Sequence, residues 1–285
     1  MKIGVIPESY QLPLTEGIAK AAELGADGVQ IYAIRRRLNV NHPAAPAAER
    51  LALKKSCLDR GMVFSAICAD VGGHDFQIDG KNMERAELTC KIVDFAVEME
   101  SKVITSHIGC IPDDPADPVY PNMVAAVRRV ADYAAGRGVT MAIETGPETA
   151  ETLLAFIETV NSPGLGVNLD PANFKMVLNY DPVRAVGLLG KYIVHTHAKD
   201  GLNLAAGNPW KAYGMVNPDG TERQSDGVAP QYREVALGTG DVPWLAYLAK
   251  LKSIGYNGFL TIERECGDDP ATDIRCAFEF LKKQI

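Results

Sequence analysis

The stretch Tyr192-Ile193-Val194-His195-Thr196-His197-Ala198-Lys199-Asp200 decides how this chain is read. It opens as an apolar run suited to a buried strand and ends in His197, Lys199 and Asp200. A buried strand has no use for that much ionisable chemistry unless its end opens into a site. Three other short runs end the same way, in Glu144, Asp170 and Glu263. Side chains alternate across a strand, so residues two apart share a face. Thr140, Ala142 and Glu144 then share a face, as do Gly166, Asn168 and Asp170, His195 and His197, and Phe259, Thr261 and Glu263. The opposite faces are mostly apolar, with Met141 and Ile143, Leu165, Val167 and Leu169, Val194 and Thr196, and Leu260 and Ile262. Thr105 and His107 repeat the pattern in the fourth strand.

Outward from this stretch, short apolar runs alternate with longer amphipathic ones. Strands are predicted at 2–6, 28–32, 63–68, 103–107, 140–144, 165–170, 193–197 and 258–263. Helices are predicted between and after them, at 15–24, 47–60, 83–99, 119–137, 149–160, 181–189, 244–254 and 272–283. Gly25 and Gly61 read as helix stops, and Asp181-Pro182 as a helix start. Such alternation implies an α/β fold with a parallel sheet, and eight units imply a closed (β/α)8 TIM barrel. A doubly wound sheet is the rival, but no G-x-G-x-x-G follows an early strand. No linker or composition shift divides the chain, so 1–285 is read as a single domain. One segment breaks the rhythm. Residues 201–240, after the seventh strand, show no clear period but carry aromatics at intervals, which suits a lid or an oligomer-contact loop.

Bulk properties exclude several classes. The 285 residues are 47% hydrophobic, ample for a large core. A formal charge of −7 repels phosphate backbones, so a nucleic-acid partner is not expected. No apolar run is long enough to span a membrane, and Met1-Lys2 leads straight into a strand rather than a signal segment. The six cysteines are scattered without a C-x-x-C pair, which reads as reduced thiols in a cytoplasmic protein.

Barrel active sites are built at the C-terminal ends of strands, where Glu144, Asp170, His197 and Glu263 fall. Two Glu, one Asp and one His make an oxygen-rich ligand set with one imidazole. One divalent cation would suit it, Mn²⁺ first, with Mg²⁺, Co²⁺ and Zn²⁺ as the others that fit. A cation also explains how three crowded carboxylates stay ionised. Bound to a sugar's oxygens it would acidify the C–H beside a carbonyl. Glu144 and Glu263 could then remove and return the proton from opposite faces. Singly, each residue has a plainer reading. Glu144 and Asp170 could cap helices or begin turns. His195, two residues deeper than His197, is read as a hydrogen-bonded core histidine.

The motifs Ile143-Glu144-Thr145, Asn168-Leu169-Asp170-Pro171-Ala172-Asn173, His197-Ala198-Lys199-Asp200, Leu237-Gly238-Thr239-Gly240-Asp241 and Thr261-Ile262-Glu263 resemble signatures of the xylose-isomerase-like sugar isomerase/epimerase superfamily. The resemblance runs from the first strand to the last helix. It implies a TIM barrel with a divalent metal on Glu144, Asp170, His197 and Glu263, the two glutamates serving as acid and base. The expected activity is isomerisation or epimerisation of a sugar, ketose or cyclitol through an enediolate. The alternative is a lyase or dehydratase acting on an inosose or 3-keto-sugar by β-elimination. One departure bears on this choice. Ketose 3-epimerases of the superfamily carry a histidine three residues after the aspartate, and here that position is Asn173. An endonuclease-IV-like DNA repair enzyme is disfavoured by the scarcity of histidines, and a non-catalytic sugar-binding subunit by the intact glutamate pair. The resemblance also leaves room for a homo-oligomer.

Five further residues are read as substrate contacts: His107, Asn173, Lys199, Arg233 and His74. Lys199 could steady a developing enolate or pair with Asp200 or Glu263. The run Arg35-Arg36-Arg37 could meet an anion, but reads first as a solvated face or an intersubunit ion-pair site.

Overall fold

A computed structural model describes residues 1–35 and 40–285, so Arg36 and Arg37 lie outside the described residues. The predicted alternation is present. The barrel strands are β1 Lys2–Val5, β2 Gly28–Tyr32, β3 Val63–Cys68, β4 Val103–Ser106, β5 Thr140–Glu144, β6 Leu165–Leu169, β7 Ile193–Ala198 and β8 Phe259–Ile262. Each pairs in parallel with its neighbours, and β8 returns to β1, so the sheet closes. The outer helices are α1 Leu14–Leu24, α2 Ala47–Leu58, α3 Lys81–Glu98, α4 Tyr120–Gly136, α5 Ala150–Val160, α6 Pro182–Leu189, α7 Trp244–Ser253 and α8 Pro270–Lys282. Among the described residues, no helix is long and apolar enough to cross a membrane. All six cysteines are free.

Local chemistry sets the boundaries. Gly25 ends α1 at φ 91°, a left-handed conformation that costs a glycine little. Asp181 caps α6 through a 2.9 Å bond from Val183 N, with Pro182 at the first helical position. Thr149 caps α5 by accepting from Thr152 N at 3.2 Å. The apolar faces of strands and helices form the main core between sheet and helix ring. The barrel interior is different, being filled largely by hydrogen-bonded polar side chains. His195 Nδ1 lies 2.9 Å from Asn168 Oδ1, and its Nε2 lies 2.9 Å from Thr261 Oγ1. Below them a small apolar group holds Ala66, Val103 and Ala142.

Two expectations need correction. Strict alternation fails in β7. Val167 pairs with Ile193 but Asn168 pairs with His195, so a bulge lies at Val194. That bulge lets Val194 pack against the interior group of Ala66, Val103 and Ala142, on the same side as His195. The segment 201–240 also has secondary structure. Asp200–Ala205 and Gln231–Val235 form an antiparallel pair, and Trp210–Tyr213 a short helix. Gln231, Tyr232 and Arg233 are exposed and the buried side chain of Glu234 is charged, so the second arm shows no hydrophobic period. The rest of the segment is tied down at named points. Arg223 pairs with Asp117, Cys110 Sγ donates to Gly214 O at 2.9 Å, and Asp79 N donates to Pro218 O at 2.7 Å. It lies across the loops that follow β3 and β4.

Candidate active site

The C-terminal ends of β5 to β8 bring Glu144, Asp170, His197 and Glu263 together. All four are buried, and one ligand-type atom from each lies within 4.8 Å of the others. His197 Nδ1 stands 3.2 Å from Glu144 Oε1, 3.1 Å from Glu263 Oε2 and 3.6 Å from Asp170 Oδ2.

Asp170 divides its carboxylate. Oδ1 accepts from Ala172 N at 2.7 Å and Asn173 N at 3.2 Å, capping the helical turn at Pro171–Asn173. The cap expected of an Asp-Pro pair is therefore present. Among the described residues Oδ2 is left buried without a hydrogen-bond partner, and it faces the cluster.

His197 is oriented from behind. Its Nε2 lies 3.1 Å from Gln30 Oε1, an acceptor only, which places the proton on Nε2. Asn168 Nδ2 also lies 3.2 Å from that nitrogen. A protonated Nε2 cannot accept it, so that amide is turned to Glu144 Oε2 at 3.4 Å. The Asn168 carbonyl is held by His195, fixing the amide's direction. His197 Nδ1, the remaining nitrogen, is buried without a hydrogen-bond partner.

Three ionised carboxylates about 4 Å apart repel by about 4 kcal/mol per pair at an effective dielectric of about 20. Positive charge must offset this. Burial alone would lower the His197 pKa, but Glu144 and Glu263 hold it well above the usual histidine value. Burial likewise opposes the charge on Lys199, yet Glu263 and Glu265 hold its pKa well above the usual lysine value. Glu263 is held well below the carboxylate range by Lys199 and His197, against the opposing effect of burial. Two orphaned buried atoms, Asp170 Oδ2 and His197 Nδ1, converge with hard carboxylate oxygens. These residues fit a divalent cation.

A cavity of about 470 Å³ opens above the cluster. His107, Asn173, Lys199 and Arg233 all line it. His107 Nδ1 lies 3.0 Å from Asp70 Oδ2 and 3.8 Å from Glu144 Oε2, and its ring leans on Tyr213. Burial lowers the His107 pKa, but Glu144 and Asp70 outweigh it and push the value up to about 10. Asn173 Nδ2 donates to Thr145 O at 2.9 Å and to Glu144 Oε1 at 3.4 Å. Arg233 sits exposed on the hairpin arm at the cavity mouth.

His74 is a correction. It does not line this cavity. Its chain passes through a short turn at Asp75–Gln77, which sets its ring against Gly214, one residue beyond the Tyr213 that does line it. Of the two pairings open to Lys199, the one with Glu263 is present. Its Nζ is 3.2 Å from Glu263 Oε2 and 2.5 Å from Glu265 Oε2. Asp200 is instead saturated by Gly201 N, Gly238 N, Gly240 N, Val242 N and Trp244 Nε1. A side chain at Gly240 would stand 2.2 Å from Asp200 Oδ1, so glycine is required there.

Sequence reasoning passed over Gln30, Asp70 and Glu265, which also line the cavity. Gln30 had a signal, as the one amide inside the apolar run Gly28-Val29-Gln30-Ile31-Tyr32. Asp70 also had one, two residues past the end of β3 where the other strands carry acids.

A closed parallel barrel with a buried cluster of acids and one histidine at the strand C-termini is the architecture in which barrel enzymes carry their sites. The chain belongs to the xylose isomerase-like TIM barrel family, whose model matches residues 18–284. A solved xylose isomerase domain protein from Planctomyces limnophilus is 31% identical, with a TM-score of 0.71 over 94% of this chain and 90% of that one. D-allulose 3-epimerase from Methylomonas sp., solved with D-allulose, shares the fold at 20% identity, with a TM-score of 0.72 over 100% of this chain and 97% of that one. By sequence, L-ribulose 3-epimerase from Methylomonas sp. (strain DH-1) is 26% identical over 168 residues, 56% of this chain. The chain spans about half the length of the curated relatives it matches, 60% of one and 48% of the other.

Proposed function

We propose that this chain is a divalent-metal-dependent isomerase or epimerase of a ketose or cyclitol, moving a proton between carboxylates by way of an enediolate. The observation that carries the proposal is the convergence of Asp170 Oδ2 and His197 Nδ1, both buried and without hydrogen-bond partners among the described residues, on the carboxylates of Glu144 and Glu263. Glu144, Asp170, His197 and Glu263 would hold the cation, with Mn²⁺ the first choice for this oxygen-rich set. When bound, it would polarise the substrate carbonyl and acidify the neighbouring C–H.

The chain's own groups do the rest. Glu144 and Glu263 reach the cavity from different strands and act as base and acid on opposite faces of the substrate. Lys199, bonded to Glu263, keeps that carboxylate ionised. His107, fixed by Asp70, offers its other ring nitrogen to a substrate hydroxyl. Asn173 holds Glu144 in place. Arg233 closes the mouth against a substrate oxygen. The likeness to an L-ribulose 3-epimerase and to a D-allulose 3-epimerase holding D-allulose supports a small sugar-like substrate.

One observation favours β-elimination as a second reading. Asn173, bonded to Thr145 and Glu144, can exchange no proton near neutral pH, while His107 beside Glu144 can donate one to a leaving group.

The test is metal analysis followed by solvent-deuterium exchange over ketoses, inososes and 3-keto-sugars. Deuterium should enter the carbon beside the carbonyl, and Glu263→Gln should lower that exchange at least ~100-fold. Exchange that survives both chelation and Glu263→Gln would falsify the mechanism. A product lighter by water or an aglycone identifies the elimination.

A further inference from the structure

We infer that the substrate carries a substituent with apolar surface, seated in a groove that leads from the active-site cavity over the β1 end of the barrel. The inference rests on the sugar-directed reading above. The cavity over the cluster shares Tyr32, Glu263, Glu265 and Cys266 with a second space of about 400 Å³. That second space shares Glu8, Gln11 and Arg35 with a third of about 450 Å³. The three run in series from the metal-fitting cluster, past the turn at Pro7–Tyr10, to the start of α1.

Size is the first argument. A ketohexose has twelve non-hydrogen atoms. At no more than the roughly 30 Å³ that a water molecule takes in the liquid, each such atom contributes little, and the sugar needs less than about 360 Å³. The first cavity, at about 470 Å³, holds it alone. The two spaces beyond it are then available to something joined to the sugar.

Chemistry is the second. The first cavity is walled by acids and hydrogen-bonding groups suited to a polyol. Among the described residues, the outermost is walled by Leu12, Pro13, Leu14 and Val40 beside His42, with Gln11, Arg35 and Glu8 at its junction with the middle space. In that middle space the Arg35 guanidinium lies 4.8 Å from the centre of the Tyr32 ring, two flat groups along one wall. Glu8 accepts from Tyr32 N at 2.9 Å through one oxygen, and its other oxygen is buried without a partner among the described residues. The first space is lined by five acids, Asp70, Glu144, Glu234, Glu263 and Glu265, against the cations His107, Lys199 and Arg233. Lys199 pairs with Glu263 and Glu265, and Arg264 with Glu234 and Asp273. Barrels commonly bind phosphate at the loops after strands seven and eight. Here those loops present Glu234 and Glu265. A phosphate ester is therefore disfavoured, and a neutral sugar joined to an aromatic or alkyl group matches the sequence of walls.

Metal-loaded protein should be titrated calorimetrically with phenyl and methyl glycosides of the same sugar, and with fructose and fructose 6-phosphate. The phenyl glycoside should bind at least ten-fold tighter than the methyl one, and the phosphate ester more weakly than the free ketose. Leu12→Asp should erase the phenyl preference, and a crystal soaked with the phenyl glycoside should place its ring between Leu14 and Arg35. Equal affinity for the two glycosides, tighter binding of the phosphate ester, or a ring bound elsewhere overturns the inference. Phenyl preference without deuterium exchange on any substrate would sink the proton-transfer reading and leave the groove standing. Exchange on a bare ketose with no phenyl preference would do the reverse.

Discussion

Replacing Gln30 by Leu should weaken divalent-metal binding through a residue that never touches the metal. His197 can present Nδ1 as a ligand only while its proton sits on Nε2. Gln30 Oε1, at 3.1 Å, is the acceptor that keeps it there. In Gln30→Leu the Nε2–H is buried without an acceptor, since the Asn168 carbonyl is already bonded to His195. Leaving such a donor unpaired costs about 1–3 kcal/mol. The Asn168 amide, 3.2 Å from Nε2, would then donate to it and draw the proton round to Nδ1, the wrong tautomer for a ligand. At about 1.4 kcal/mol per decade, metal affinity should fall roughly 5- to 150-fold, in line with the ~10–100-fold typical when the outer partner of a metal-bound histidine is removed. Chelator competition with Mn²⁺ or Co²⁺ measures the affinity, and ¹⁵N chemical shifts of His197 in Zn²⁺-loaded protein report which ring nitrogen carries the proton. Gln30→Glu, which keeps an acceptor, should preserve the Nε2–H signature. Leucine at this position with affinity within two-fold of the parent and an unchanged tautomer would refute the reasoning.

Asp170→Asn should bind metal at least ~100-fold more weakly yet lose little stability, because the amide oxygen still caps the turn at Pro171–Asn173; Asp170→Ala should also lose about 1 kcal/mol of cap in a denaturant titration of the metal-free protein. Asp200→Asn should destabilise the protein by at least about 3 kcal/mol and alter Trp244 fluorescence, since an amide cannot accept from all five of its donors. His107 has a folded pKa raised to about 10, so its contribution to stability is complete below about 6.5 and is lost as pH rises through about 10. An NMR titration of the metal-free protein should accordingly find its ring still protonated at pH 8, and deprotonation near pH 6.5 would contradict the Asp70 and Glu144 pairing.

The barrel was legible because each βα unit carries two strong local signals, a short apolar run and a longer helical period, and because helix caps such as Asp181-Pro182 mark the boundaries. The cluster was legible for a related reason. An acid or histidine that closes an apolar strand on its inward face is a local pattern, and closure of the sheet converts four such patterns into one place. What the sequence hid depends on contacts between distant elements. Nothing near Gln30 points to His197, 167 positions away, or near Asp70 to His107 on the neighbouring strand. The hairpin was hidden because its second arm exposes Gln231, Tyr232 and Arg233 and turns a charged residue, Glu234, inward, so no apolar alternation marks it. His74 misled for the converse reason. Flexible glycines at 72 and 73 made it a plausible ligand contact, but the turn after them directs the ring to Gly214.

The same distinction explains why one stretch, 192–200, could be read so far. His195, His197, Lys199 and Asp200 run from core to hairpin through the end of β7 and the start of the next arm, and each meets a different demand. His195 is buried among hydrogen-bonding partners that burial keeps neutral, its pKa well below the usual value. His197 meets three carboxylates, Lys199 bridges two glutamates, and Asp200 gathers five donors to root the hairpin. The strand thus couples the cluster to the segment above it. A change at Asp200 should move Arg233 and Glu234, whose arm pairs with Asp200–Ala205, without altering the distances among Glu144, Asp170 and His197. It should therefore raise KM more than it lowers metal affinity, the opposite of the Gln30 result.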